Sequence, residues 1–429
     1  VASLTANVAG PALTLTVNEA DNLTVGNIVN PHFGKVVLNT AGDIVSASGT
    51  SVWADDLRVT ANSAVISTKV DILDATITGN STTGLNVAQT GNLAIFGALT
   101  TAGSSPIVLR VGGGNLTGPG TLNAGGGAGD VSLATPGGAT TLNMFPPQVI
   151  GNRLSITAQN SSDITTTVKS ITATILQGGE SLTVLDSDGF SIDPAGIAAN
   201  GVVTLTTLAG DIDGNGVIDA GTVGTLLLQA LGGNIALAGV PNQVRAFYAD
   251  ATTGGGDINV TTKVDQISAG AAGALTIVEA DDLAIVATGL VAGQGQNITV
   301  TAAGNITLID NVTGDNTSFV SLTSQGGFVR STSGSTVVFG NRVSINASTT
   351  STLQTSVNSL AANITGSGDL FVTNKFDAQL ALGANLSIDP RNIILQGGSL
   401  SISLDNSTPA SLLGSGLINT NGGNVTFSV

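Results

Sequence analysis

The run with the clearest chemical potential places carboxylate and amide oxygens at alternate positions, at Asp211, Asp213 and Asn215, with Asp219 following. A hard cation such as Ca²⁺ is bound by several oxygen ligands, and a glycine at the sixth position permits a sharp turn, so the spacing matches the first half of an EF-hand-like calcium loop. The twelfth position, however, is Thr222 rather than a bidentate glutamate. We therefore predict Asp211, Asp213, Asn215 and Asp219 as candidate calcium ligands, and an ordinary turn decorated with polar residues is the favoured competing interpretation.

Two acidic corners could do acid–base chemistry. Glu19 and Asp21 occupy the same place in one repeat as Glu279, Asp281 and Asp282 in another. Paired carboxylates act as general acids and bases and hydrolyse glycosides. No histidine or basic residue lies beside Asp281 and Asp282 in the sequence. A solvated acidic edge is therefore the favoured interpretation, and catalysis is the alternative.

Other potential sites are sparse. His32 is the only histidine, so a site with several histidine ligands is excluded and any Ser-His-Asp triad would have to use it. The glycine runs 112–114 and 125–127 lack the lysine and the helix start of a phosphate-binding loop. These glycines are predicted to form loops or flat corners, and no cofactor is required.

Composition narrows the class of protein. Of the 429 residues, 58 are Gly, none is Cys, 9% are charged and 41% are hydrophobic, and the formal net charge is −16. An acidic chain is a poor ligand for nucleic acid or an anionic membrane, since both favour a basic face. No apolar run approaches the roughly 18 residues of a membrane helix, so membrane insertion is not expected. With no initiator Met and no signal peptide at Val1, the chain is expected to be a mature or excised piece of a longer protein.

An internal repeat organises the chain. The pattern Val-x-x-Leu/Ile-x-Ala recurs five times, and its last four copies lie 98, 96 and 93 residues apart. It begins at Val1, Val70, Val168, Val264 and Val357. The predicted organisation is one continuous solenoid with super-repeats 1–69, 70–167, 168–263, 264–356 and 357–429.

Within each super-repeat, apolar residues alternate with polar ones over four to six positions until Gly, Asn or Asp interrupts. Leu13, Leu15 and Val17 are one such run. Period-two alternation predicts strands buried on one face, and a super-repeat divides into about five coils of ~19 residues. We predict an all-β parallel β-helix of about 20 coils, with aliphatic residues stacked in a narrow core and Gly or Asn at the corners.

The runs LAGDIDGNGVIDAG, AAGNITLIDNVTG and LGGNIALAG resemble the haemagglutinin-type repeats of large bacterial exoproteins similar to filamentous haemagglutinin. The resemblance covers essentially the whole chain in composition and repeat style. It implies a right-handed β-helix and an extracellular, elongated surface protein. The family's Asn-Pro-Asn-Gly secretion turn is matched only at Asn30 and Pro31 and departs at His32, so an ordinary corner is favoured there.

These features predict a structural or adhesive segment of a secreted surface fibre, not an enzyme. Neither end carries an obvious cap, so we expect self-association or continuation in a longer chain, and contact with a host, cell or matrix surface. The alternative is a carbohydrate-active β-helix enzyme, either a polysaccharide lyase or a hydrolase. A carbohydrate-binding module is a weaker alternative that would need an exposed line of rings including Trp53, or Phe247 and Tyr248.

Overall fold

The computed structural model describes residues 3–8, 10, 12–144, 148–377, 379, 382, 385–405 and 411–428. The fold is a parallel β-solenoid of about 19 turns with almost no helix, which confirms the predicted fold class. Every pairing between the named strands is parallel, and the antiparallel bridge from Asp377 to Leu382 lies outside them. By contacts the chain divides into two units, Val1–Ala209 and Gly210–Val429, each of which is described by itself.

The first unit consists of short strands and one turn of 3-10 helix at Gly125–Gly127. Its strands are β1 (Ser3–Asn7), β2 (Thr14–Glu19), β3 (Leu23–Thr40), β4 (Asp43–Ser46), β5 (Val52–Ala61), β6 (Ser63–Ile77), β7 (Leu85–Thr90), β8 (Leu93–Ala94), β9 (Ala98–Thr101), β10 (Ile107–Gly112), β11 (Leu116–Thr117), β12 (Thr121–Ala124), β13 (Val131–Thr135), β14 (Thr140–Leu142), β15 (Val149–Ala158), β16 (Ser162–Ile175), β17 (Leu182–Asp186), β18 (Phe190–Ala198) and β19 (Val202–Thr207).

The second unit is built in the same way. Its strands are β20 (Ile212–Gly214), β21 (Ile218–Asp219), β22 (Thr225–Ala230), β23 (Ile235–Leu237), β24 (Val244–Thr253), β25 (Ile258–Gly270), β26 (Leu275–Glu279), β27 (Leu283–Val291), β28 (Ile298–Ala302), β29 (Ile306–Leu308), β30 (Val312–Thr313), β31 (Phe319–Ser324), β32 (Val329–Ser331), β33 (Val338–Ala347), β34 (Ser351–Ile364), β35 (Leu370–Lys375), β36 (Asn385–Leu395), β37 (Leu400–Asp405), β38 (Ser411–Gly414), β39 (Ile418–Asn419) and β40 (Val425–Ser428).

The core consists of aliphatic columns that run from coil to coil. Parallel pairing sets one side chain above its equivalent, and each residue of a column is at most 1% exposed. One such column in the first unit is Ala64, Leu85, Ile107, Val131, Leu154 and Ile171. Aromatic rings are mostly left outside, as Phe96 is at 60% exposure, but Phe190 is only 3% exposed and enters the core.

Coil length is less regular than the predicted 19 residues. Ala54 pairs with Val70, 16 positions on, and Ile107 pairs with Val131, 24 positions on. In the first unit, four turns cover 91 residues along the column Ile72, Ala94, Thr117, Thr141 and Asp163. Five turns cover 107 residues along the column that ends at Ile171. The super-repeat of 98 residues therefore holds between four and five turns, and the expectation of five equal coils is wrong.

The second unit obeys the same rule. The column that leaves the first part of β25 at Ile258 reaches the last part of β34 at Leu360 after five turns. The column that leaves β25 at Gln266 reaches the first part of β34 at Thr352 after four turns. Equivalent residues of successive super-repeats therefore lie in different columns, because the super-repeat is not a whole number of turns.

Candidate functional site

A ladder of asparagine and aspartate side chains runs along the Gly-Asn and Gly-Asp corners. In the second unit, Asp211 Oδ1 accepts the backbone N–H of Asn234 at 2.7 Å, and Asn234 Oδ1 accepts that of Asp257 at 2.8 Å. Asp257 Oδ1 in turn accepts the N–H of Ala274 at 2.7 Å. Such hydrogen bonds occupy corner donors that the strand ladder leaves open, since buried or half-buried N–H groups need a partner. The ladder therefore holds each coil to the next.

The candidate calcium ligands are distributed around this corner. Besides the backbone contact, Asp211 Oδ1 accepts the Asn234 side-chain amide at 3.0 Å. Asp219 Oδ1 accepts the N–H of Gly221 at 2.9 Å, and its Oδ2 lies 4.0 Å from an Arg245 nitrogen. Asp213 lies in β20, and Asn215 follows that strand. Among the residues that the structure describes, no three His, Cys, Asp or Glu side chains are grouped as a metal site, and calcium binding stays a prediction.

The acidic corner of the fourth super-repeat is not a solvated edge throughout. Glu279 is only 2% exposed, so the expectation of a solvated cluster is wrong for this residue. Asp282 lies on the exposed corner, where its Oδ1 accepts the backbone N–H of Asn305 at 2.7 Å as part of the ladder. Asp281 is likewise exposed. One acidic motif thus supplies a buried group and a surface ladder group.

Glu279 belongs to a buried contact, here called the corner clasp, that recurs in four super-repeats. In each clasp a threonine two residues before the next motif valine and the backbone N–H of that valine both donate to one oxygen of a side chain in the following coil. The threonine Oγ1 to acceptor distances are 2.7, 2.6, 2.7 and 2.8 Å, and the valine N to acceptor distances are 3.2, 3.1, 3.1 and 3.0 Å. In chain order the clasps are Thr68/Val70 with Gln89, Thr166/Val168 with Asp186, Thr262/Val264 with Glu279, and Thr355/Val357 with Asn374.

The chemistry of the acceptor alternates along the chain. Gln89 and Asn374 are amides whose nitrogen donates to the carbonyl oxygen of Val70 at 2.6 Å and of Val357 at 3.2 Å. Asp186 and Glu279 are acids in the same place. Their second oxygen accepts backbone N–H groups of the following turn, from Asp188 and Gly189 in one case and from Ala280 and Asp281 in the other.

Burial governs the electrostatics of the acid clasps. Removal from water disfavours the charged form of a carboxyl group. Burial raises the pKa of Asp186, and it raises the pKa of Glu279 to about 7, with a hydrogen bond from Asp281 adding to the effect. The N–H and hydroxyl donors oppose the rise in both cases. A neutral or partly neutral acid therefore sits in these two clasps near physiological pH.

A second recurring contact is an arginine–aspartate brace that spans three coils. Arg342 Nη2 donates to Asp389 Oδ1 at 2.9 Å, while its Nε contacts the other carboxylate oxygen, and Ser359 from the intervening coil donates to Oδ2 at 3.2 Å. Arg153 and Asp193 form the same bidentate pair in the first unit, with nitrogen–oxygen distances of 3.0 and 2.9 Å. The signal for the brace is the pairing of Gly-Asn-Arg with Ser-Ile-Asp-Pro about 40 residues later, which the sequence analysis did not use.

The environment of Asp389 favours its charged form. Burial opposes ionisation, but hydrogen bonds from the Arg391 backbone N–H, from Arg342 and from Ser359, together with the charge of Arg342, hold the pKa of Asp389 below its ordinary value. The guanidinium groups of Arg342 and Arg391 also lie 5.4 and 4.8 Å from the centre of the Phe319 ring. Stacking on a ring fixes the orientation of a guanidinium group. The brace is consequently an ordered ion pair.

The remaining predicted residues are placed as follows. The side chains of Pro31 and His32 lie outside the described residues, so the predictions for them are left as they were. Trp53 contacts Lys69, whose ammonium group lies 4.4 Å from the ring centre. Tyr248 shares a hydrogen bond of 2.7 Å with Ser268, and Phe247 is 40% exposed.

Surface depressions are shallow. One of about 280 Å³ in the second unit is lined by Val240, Pro241, Thr261 and Glu279, among others. Another, of about 340 Å³ in the first unit, includes Lys169. Neither brings together a basic residue and several carboxylates in the way that the enzyme alternative requires.

Membrane-spanning helices were also sought, and none of the described helical residues forms one long and apolar enough to cross a bilayer. Comparison with models of known protein families found no match, and searches of curated proteins and of solved structures found no significant match either. The chain is therefore interpreted from its own geometry and its repeat style.

Proposed function

We propose that this chain is a structural or adhesive segment of a secreted bacterial surface fibre. The observation that carries the proposal is that the acids, amides and arginines with chemical potential hold neighbouring coils together. Asp211, Glu279 and Asp389 each bind groups of an adjacent coil. The haemagglutinin-type repeat style of the sequence supports an extracellular location. A side chain committed to such contacts serves the scaffold and is not free to act on a substrate.

An uncharged polar face supports an adhesive role. In the second unit, four successive coils pair so that Thr276, Thr299, Ser321 and Ser344 form one outward column. All four are part-exposed. The neighbouring outward column is Val278, Thr301, Thr323 and Asn346. Parallel strands repeat at about 4.8 Å, so the hydroxyl groups are regularly spaced and meet another surface without charge repulsion.

Free strand edges support assembly by stacking of coils. Val425 and Phe427 pair with Leu400 and Ile402 and so continue two core columns. They are nevertheless 43% and 44% exposed, because no further described coil covers them. An open strand edge with apolar side chains is a template for another strand. A second copy or a further segment of a longer chain would supply that strand.

Electron microscopy of the purified chain tests the proposal, together with a cosedimentation assay. We expect filaments or end-joined rods, and we expect Phe427→Asp to abolish them because a charge would be buried at the junction. Phe96→Asp is the matched control, since Phe96 is exposed but lies on a different coil. Isolated particles at every concentration, without adhesion to cell or matrix material, would contradict the proposal. Release of sugar fragments from polysaccharide would instead favour the carbohydrate-active enzyme.

A further inference from the structure

We propose that the corner clasps of Asp186 and Glu279 are pH-dependent junctions between coils, which loosen when the carboxylic acid ionises, whereas the clasps of Gln89 and Asn374 hold irrespective of pH. The inference concerns the regulation of the scaffold and does not depend on an adhesive or a fibrous role. It rests on four equivalent sites that share their donors and differ in one acceptor group.

The four sites share a buried setting. The clasp threonines are at most 1% exposed, and the acceptors Gln89, Asp186, Glu279 and Asn374 are between 0% and 3% exposed. In the amide clasps the head group is neutral at every pH and satisfies both a donor and an acceptor on the backbone. An amide thus completes the junction without placing charge in the core.

An acid at the same place changes the outcome. A carboxylate is acceptor-only, and transferring a charge into a buried site costs free energy unless it is fully paired. No guanidinium or ammonium group is among the contacts of Asp186 or Glu279, whose donors are a threonine hydroxyl and backbone N–H groups. The neutral acid is therefore compatible with the buried corner, and ionisation weakens it.

The charged groups around Glu279 act in the same direction or lie in solvent. On its own turn, Asp281 shares a hydrogen bond with it that favours the protonated form. On β25, Lys263 and Asp265 flank the clasp with opposite charges and are exposed. On β28, which packs against the other side, the facing residues Thr301 and Ala302 are uncharged.

Around Asp186 the charges are similarly placed. Asp188 lies on the following turn, and Lys169 on β16 is exposed beside the shallow pocket that also includes Asp188. Asp163, at the start of the same strand, faces outward and accepts a hydrogen bond from Asn143. The facing residue on β19 is Thr207, which carries no charge. Neither acid clasp therefore has a buried cation that would keep its carboxylate ionised.

The direction of the effect follows from the pKa. A carboxyl group whose pKa is raised in the folded state holds its proton more tightly there than in the unfolded chain, so its contribution is present at low pH and is lost as pH rises through the folded value. For Glu279 that value is about 7. The junction at Val264 should thus be closed in mild acid and should open more often above neutrality.

Hydrogen exchange of the full chain tests this at the atoms concerned, the clasp N–H groups. After correction for intrinsic rates, we expect protection of the Val264 N–H to fall by about tenfold for each pH unit above the ionisation point, as expected for opening coupled to loss of one proton. Protection of Val70 and Val357 should stay constant. Glu279→Gln should make Val264 behave like Val70, and Gln89→Glu should give Val70 the pH dependence.

The substitutions are conservative, because glutamine already occupies the equivalent clasp at Gln89. A carboxyl infrared band that titrates near 7 and disappears in E279Q gives a second readout that does not require the junction to open. A band titrating at an ordinary carboxyl pKa, or an unchanged decline of Val264 protection in E279Q, would overturn the proposal. Uniform pH dependence at all four valines would overturn it equally.

Discussion

At the scale of single residues, this protein uses polar side chains as connectors between coils. Asn234 shows how tightly they are used, because it accepts the N–H of Asp257 and donates its amide to Asp211 in the coil before. Both contacts need the carboxamide group and the short side chain of asparagine. The abundance of Asn and Asp after Gly in the sequence therefore reflects corner geometry.

We predict that Asn234→Ala destabilises the fold by about 1–3 kcal/mol, since it leaves a corner donor and an acceptor without partners. The measurement is the urea unfolding midpoint, with slope and midpoint fitted separately. Asn316→Ala is the control, because Asn316 is exposed in a turn. Equal midpoints for the two variants would contradict a ladder role.

At the scale of elements, the tight corners depend on glycine where one coil approaches the backbone of another. A Cβ atom on Gly293 would lie 1.8 Å from the carbonyl oxygen of Ala272 in the previous coil. Side-chain atoms cannot approach that closely, so the corner would have to move. Gly178 lies in a comparable turn, but a Cβ there would meet no atom within 4 Å.

The matched substitutions Gly293→Ala and Gly178→Ala should therefore differ. We expect Gly293→Ala to cost about 1–3 kcal/mol through local displacement of the coil, and Gly178→Ala to be neutral or slightly stabilising through the unfolded chain. Thermal and urea unfolding of both variants provide the comparison. If Gly178→Ala proved as costly as Gly293→Ala, close approach between coils would not be the cause.

At the scale of the whole molecule, two kinds of buried carboxyl group give stability opposite pH dependences. Asp389 has a lowered pKa, so its contribution is present above the ordinary carboxyl range and is lost as pH falls. Glu279 has a raised pKa, so stability declines as pH rises from its ordinary 4.5 through about 7. The free energy of unfolding should therefore be greatest in mild acid.

Substitution separates the two limbs of this profile. Glu279→Gln should flatten the alkaline limb and raise stability at pH 8 by up to about 3 kcal/mol, the equivalent of the difference between 4.5 and about 7. Asp389→Asn should lower stability at neutral pH and differ less from the native chain near pH 3. Urea midpoints measured from pH 3 to pH 9 would show both effects, and a parallel shift of the whole profile in either variant would refute the assignment.

The sequence by itself determined the strands, the parallel solenoid and the nature of the corners. Alternating residues such as Leu13, Leu15 and Val17 can only bury one face, and repeated Gly-Asn or Gly-Asp steps mark the turns. These signals are local, since each is contained in a few consecutive residues. For that reason they could be interpreted without knowing which coil lies above which.

Only the tertiary structure decided which polar residues meet. Coils vary from 16 to 24 residues between Ala54 and Val131, so the partner of a residue cannot be counted from a fixed spacing. The clasp acceptors lie at different distances from their valines and have four different side chains, from Gln89 to Asn374. Glu279 looked like Asp281 and Asp282 in the sequence, but alternation turns it inward while they remain at the corner. Burial, set by pairing between distant strands, gives the same carboxyl chemistry a different role.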